Sequence, residues 1–241
     1  MNKKLKISLI VLAAVLLTAV VAFGVYAGIY YHADDTAQAA LTTTEKVTVT
    51  QCDGYVTFSP EAPAEGLIFY PGVKVEHTAY APLMQTMAQR GVLCVLVEMP
   101  FNLAVFDAYA ALDIPEQFPQ VQDWYLGGHS LGGSMAAKCA AKAPERFKGL
   151  GLLAAYSTVD LSDSGLDVMT VLGDRDTVLD ADKLETNRHN LPKTAIQAQI
   201  PGANHAQFGS YGPQKGDGEA TITPEEQIRI TANLLAEMMG K

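Results

Sequence analysis

Cysteine is scarce, with three residues in 241 and no Cys-x-x-Cys spacing. That excludes a disulfide framework, and it excludes zinc or dithiol chemistry built on such pairs. Basic residues are outnumbered, 17 Lys and Arg against 26 Asp and Glu, for a net charge of −9. An acidic chain is a poor match for phosphate backbones, so nucleic acid is not an expected partner. Charged residues make up only 18% against 49% hydrophobic, the reverse of a disordered chain. Glycine and proline, 20 and 12 residues, show no linker-like or collagen-like excess. No His-Glu-x-x-His helix and no Walker loop occurs.

Charge is absent altogether from Ile7 to Tyr31, directly after Lys3, Lys4 and Lys6. As a helix rising about 1.5 Å per residue, this run reaches roughly 37 Å. The hydrocarbon core of a bilayer is about 30 Å thick, so the run is long enough to cross it with some tilt. The lysines before it and Asp34 and Asp35 after it place the N-terminus in the cytoplasm and the rest outside. Tyr26, Tyr30 and Tyr31 sit where an interfacial aromatic belt would be. The run exceeds the apolar core of a secretory signal, which favours a retained anchor, although Ala37-Gln38-Ala39 offers a small-x-small cleavage site. Residues 1–39 therefore read as an anchor or signal segment, and residues 40–241 as one domain.

That domain alternates strands and helices after an opening hairpin. Val47 to Thr50 and Tyr55 to Ser59 flank an Asp53-Gly54 turn. Strands follow at Leu67–Tyr70, Val92–Val97, Trp124–Leu126, Lys148–Tyr156, Asp167–Leu172 and Ala195–Ile200. Helices are expected at Ala79–Arg90, Leu131–Ala143, Ala181–His189 and Pro224–Met239, with an interrupted helical stretch between Phe101 and Phe118. This order predicts an α/β fold with a mostly parallel sheet covered on both faces. Ligands of such sheets lie beyond the carboxyl ends of the strands, so a reactive residue should fall just after a strand.

Gly128-His129-Ser130-Leu131-Gly132 meets that requirement. It fits Gly-x-Ser-x-Gly between a strand and a helix, the setting of a nucleophile elbow. A bland glycine-rich loop is the alternative reading. A serine hydroxyl needs a base. Among five histidines, His32 lies at the membrane edge, His129 sits inside the elbow with its side chain turned from the hydroxyl, and His77 and His189 read as solvated. His205, five residues past the last strand, is the candidate base. The imidazole needs a carboxylate to fix its tautomer and stabilise its charge. Asp176 is favoured because it lies far enough past its strand to turn back toward His205, with Asp174 as the alternative. Leu131 N–H, at the start of the helix, and Val73 N–H, in the Tyr70-Pro71-Gly72-Val73-Lys74 loop, are the expected oxyanion donors.

These stretches, with Met99-Pro100-Phe101-Asn102-Leu103 and Gly202 to Gly209, resemble the small capless bacterial α/β-hydrolases related to dienelactone hydrolase. The chain order Ser130, Asp176, His205 is similar to theirs. True dienelactone hydrolases carry cysteine as nucleophile, and Ser130 here points instead to ester hydrolysis. The resemblance implies an acyl-enzyme route with no metal or organic cofactor and a small-molecule ester as substrate. Only about ten residues, Ser157 to Leu166, separate two strands where a cap would be inserted. The pocket is therefore expected to be open, with Phe101, Phe106, Phe208 and Tyr211 as candidate lining and core packing as the default for the phenylalanines. A serine peptidase or acyltransferase with the same three residues, or a non-catalytic surface protein on this scaffold, are the rival readings.

Overall fold

The computed structural model describes residues 3–241. It divides into one unit ending at Tyr30 and one running from Tyr31 to Lys241. In the first unit the uncharged run forms helix α1, Lys3–Gly28. Its Lys6–Gly28 portion has a mean hydropathy of 2.7 and is long and apolar enough to cross a membrane. A helix is the form this run must take there, because it pairs its own backbone N–H and C=O groups where no water is available.

The second unit opens with a short helix that the sequence reading did not anticipate, α2, Asp35–Ala40. Asp34 caps it, its Oδ1 accepting the Ala37 N–H at 3.0 Å, and Ala37 is fully buried. The eight-stranded sheet follows, in the order β1-β2-β4-β3-β5-β6-β7-β8. Strands β1 (Val47–Cys52) and β2 (Tyr55–Pro60) form the expected hairpin, and Gly54 takes φ +81° in its turn. Strand β2 runs antiparallel to β4 (Val92–Val97). The remaining pairings are parallel, among β3 (Glu65–Tyr70), β4, β5 (Asp123–His129), β6 (Gly149–Leu153), β7 (Asp167–Gly173) and β8 (Ile196–Ile200).

Strands β4 and β6 are buried along their whole length, as expected for strands covered on both faces. The core therefore has two layers. On one face, Leu67, Phe69, Tyr80, Met84, Met87 and Leu235 pack together under helices α3 (Ala81–Ala88) and α6 (Pro224–Met238). On the other, Ile68, Tyr70, Trp124 and Leu126 pack against α4 (Leu131–Lys142), whose Ala136, Ala137 and Ala140 bring it close to the sheet. Thr223 caps α6, its side chain accepting the Glu226 N–H, with Pro224 in the first turn.

The helical expectations failed at prolines and strained residues. The helix expected from Ala79 begins as a 3-10 turn, His77–Tyr80, and becomes regular only at Ala81. Pro82 has no N–H to bond back to Thr78, so the α-helical ladder cannot extend upstream. Between Phe101 and Phe118 the chain makes only short 3-10 turns. Left-handed backbone at Phe101 and Asn102 interrupts it, as does Pro115. Helix α5, Ala181–Thr186, stops short of the expected His189, and a 3-10 turn, Arg188–Asn190, follows before Pro192. Residues 154–166, between β6 and β7, hold no helix or strand, so no cap stands over the sheet at that point.

Candidate active site

Strand β5 ends at His129 and α4 begins at Leu131, leaving Ser130 alone in the turn with φ +53° and ψ −125°. This is a costly conformation for a residue with a side chain, of order 1–3 kcal/mol, and it persists only where the surroundings enforce it. Here Ser130 N–H donates to Leu153 O at 2.9 Å, tying the turn to β6. The flanking glycines leave no alternative. A Cβ on Gly128 would lie 2.7 Å from the Gly132 carbonyl carbon, and one on Gly132 would lie 2.2 Å from Pro71 O. The start of α4 is thus pressed against the loop that follows β3. This contact puts Leu131 and Val73 at the same end of the sheet. Among the described residues, neither N–H has a hydrogen-bond acceptor.

His205 follows β8 and is held from several sides. The preceding residue, Asn204, donates its N–H to Gln227 Oε1 at 3.1 Å and accepts from Gln227 Nε2 at 2.8 Å, on buried α6. The next residue, Ala206, donates its N–H to Asp217 Oδ2 at 2.8 Å. His205 Nδ1 lies 2.8 Å from Asp176 Oδ2, and both side chains are only 2% exposed. The other Asp176 oxygen accepts the N–H groups of Val178 and Leu179, at 2.8 and 2.9 Å. Burial pushes the Asp176 carboxyl up, but His205 and these two N–H groups outweigh it, and the carboxyl sits below its ordinary range. Asp174 is engaged elsewhere. Its Oδ1 accepts the Gly202 N–H at 2.7 Å and lies 3.7 Å from Arg175 Nε, so it fastens the β7 turn to the loop before His205.

Ser130 and His205 line one open cavity of about 400 Å³, with Leu131, Ala155, Tyr156 and Val178. No hydrogen bond joins Ser130 Oγ to His205 in this structure. Such bonds are often long before substrate binds.

A second network, which the sequence reading missed, lies behind this cavity. The Tyr80 hydroxyl accepts the Gly72 N–H at 3.0 Å and lies 2.7 Å from His129 Nδ1. Burial raises the Tyr80 pKa, so its hydroxyl stays protonated beside His129. The His129 ring centroid is 4.5 Å from that of His205. Burial first, and then the charge of His205, depress the His129 pKa well below its ordinary value. His129 is therefore a neutral ring at neutral pH. The sequence signal was the residue itself, a polar side chain beside the elbow serine in an apolar strand.

The aromatic lining expected from sequence needs correction. Phe208 is fully buried and Tyr211 is 6% exposed, both within the core cluster. The 3-10 turn Ala206–Phe208 directs the Phe208 ring inward, 5.6 Å from that of His129. Phe101 does lie at this edge of the sheet, 56% exposed, but it is not among the residues lining the cavity.

A model of the alpha/beta hydrolase family matches residues 66–229. None of the curated proteins matches the chain. Among solved structures, Est1E from Butyrivibrio proteoclasticus is 17% identical over 82% of this chain and 100% of its own, with a TM-score of 0.57. A membrane phospholipase A described as a bacterial virulence factor is 14% identical, covers 100% of both chains and has a TM-score of 0.58. Dienelactone hydrolase from Anabaena variabilis is 16% identical over 81% of this chain and 96% of its own, at a TM-score of 0.55. Identities this low speak for the fold alone.

Proposed function

Because the chain belongs to the alpha/beta hydrolase family, we propose that it is a membrane-anchored serine hydrolase that cleaves carboxylic esters outside the cytoplasm. The buried Asp176–His205 pair, 2.8 Å apart, carries this reading, since its His205 lines the same cavity as Ser130. His205, held by Asp176 through Nδ1, presents Nε2 as the base. Ser130 Oγ attacks the ester carbonyl while His205 takes its proton. The Leu131 and Val73 N–H groups receive the negative oxygen of the tetrahedral intermediate, a contribution typically worth about a hundred- to a thousandfold per donor. The imidazolium, stabilised by ionised Asp176, returns the proton to the departing alcohol and leaves an acyl-serine. Water, deprotonated by His205, then attacks this ester and frees the acid and the serine.

An esterase reading agrees with the serine in place of cysteine and with fold neighbours that include a phospholipase. The lysines in the first turns of α1 support an N-terminus inside the cell and a hydrolase unit outside. The test is labelling by a fluorophosphonate probe. Wild type should be labelled and Ser130→Ala should not. Equal labelling of the two, or labelling of neither, overturns the assignment.

A further inference from the structure

The segment between the apolar helix and the first strand is built into the candidate active site. Tyr31 N–H donates to Lys74 O at 2.7 Å, and Glu76 N–H donates to Tyr31 O at 2.9 Å, so Tyr31 pairs in parallel with Val75. Residues 74–76 directly follow Val73, the proposed oxyanion donor. On its other side the same segment meets the loop that follows His205. Asp34 N–H donates to Ser210 O at 2.9 Å, Lys215 N–H donates to Tyr31 Oη at 3.2 Å, and the Tyr31 and Tyr211 rings are 5.4 Å apart. Residues 31–34 thus strap together the two loops that supply the oxyanion donor and the base.

Two consequences follow. Cleavage after Ala39 would remove this strap and the buried Ala37 with it, so the strap argues for a retained N-terminal helix. Moreover, only Ile29 and Tyr30 separate the end of the helix, Gly28, from Tyr31. Three steps along an extended chain reach about 10 Å at most. The covalent tether between the apolar helix and the strapped segment is therefore short.

The same edge of the hydrolase unit carries an apolar patch. Phe101, Val105, Phe106 and Tyr109 are 56%, 50%, 54% and 43% exposed. Phe101 and Asn102 hold left-handed backbone, φ +57° and +55°. Asn102 O accepts the Lys74 N–H at 2.8 Å, which ties the patch to the strapped loop. A cluster of exposed aromatic and aliphatic side chains marks a surface that meets another apolar phase, and such residues settle at the boundary of a bilayer.

We infer that the site works at the outer membrane surface on acyl esters dissolved in the bilayer, with the Phe101–Tyr109 patch dipping into that surface. This inference rests on the serine-hydrolase reading and narrows its substrate to membrane-borne esters.

The full-length protein in phosphatidylcholine vesicles tests it with two fluorogenic esters of one leaving group, umbelliferyl oleate in the vesicles and umbelliferyl acetate in the water. A flexible twenty-residue Gly/Ser insertion between Gly28 and Tyr31 should leave acetate turnover unchanged and lower oleate turnover by about tenfold, because a long tether dilutes the site at the surface. Val105→Asp should do likewise by barring the patch from the interface. Unchanged oleate-to-acetate ratios in both variants overturn the inference while fluorophosphonate labelling of Ser130 keeps the hydrolase reading. Failure of the wild type to take the label and to cleave either ester removes both.

Discussion

The Tyr80 hydroxyl sits 2.7 Å from His129 Nδ1 and accepts the Gly72 N–H at 3.0 Å. One buried oxygen therefore links the loop of the proposed oxyanion donor to the ring that backs His205. Tyr80→Phe removes that oxygen and leaves two buried polar groups without partners, at a cost of about 1–3 kcal/mol each. The expected result is a folded enzyme with lower thermal stability. Its kcat should fall more than its KM rises, because the loosened loop serves the transition state rather than ground-state binding. Steady-state kinetics on a soluble ester checks this, and an unchanged kcat would sink the positioning role of Tyr80.

His129 makes stability depend on pH. Its folded pKa is depressed by burial and by His205, so the unfolded chain takes up a proton that the folded chain refuses. Stability is full above the unfolded value near 6.5 and declines as pH falls below it, by up to about 1.4 kcal/mol per pH unit for one proton. Urea unfolding of the detergent-solubilised protein at a series of pH values should show this slope. His129→Gln, which cannot titrate, should show less of it.

The two aspartates should separate cleanly. Asp176→Asn leaves His205 without its carboxylate and should lower kcat by about ten-thousandfold, the scale seen when a triad acid is neutralised. Asp174→Asn weakens only the turn that bonds Gly202, so kcat should stay within a few-fold of wild type while stability drops. The reverse ranking in an ester assay would move the acid to Asp174.

The Asp176 carboxyl should also shape the acid limb of stability. Its folded pKa is lowered, against an ordinary value of 3.8. The stabilisation it provides is complete above that value and disappears as pH falls through the lower folded one. Acid unfolding monitored by circular dichroism should therefore be less steep in this range for Asp176→Asn than for wild type.

Gly132→Ala puts a methyl group 2.2 Å from Pro71 O. Backbone cannot yield there as a flexible side chain would, so α4 and the loop that follows β3 must move apart. Overpacking of this kind costs about 1–3 kcal/mol or more. Loss of esterase activity should exceed the loss of stability, and full activity in a purified Gly132→Ala protein would contradict the geometry.

Much of this was legible from residues alone. The uncharged run, the hairpin turn and the strand–helix alternation are local patterns, and local patterns fix local structure. Gly128, Ser130 and Gly132 were readable because an elbow imposes steric demands within five residues. His205 and the Asp174–Asp176 stretch stood out as candidates because parallel sheets bring the ends of successive strands to one edge, and the sequence left the choice between the two aspartates open. The direction of a ring is not a local property. Phe208 was a candidate for either the pocket or the core, and it lies in the core, where a 3-10 turn after His205 places it.

The sequence by itself determined an apolar helix and a hydrolase-like order of strands and helices, and it offered Ser130, His205 and two rival aspartates as candidates. Only the tertiary structure decided that Tyr80 and His129 back the site, that Asp174 is occupied by Gly202, and that residues 31–34 strap the two loops together. Those relations join positions 28 to about 180 residues apart. Such contacts depend on how the sheet twists and how its loops pack, and no spacing along the chain encodes that.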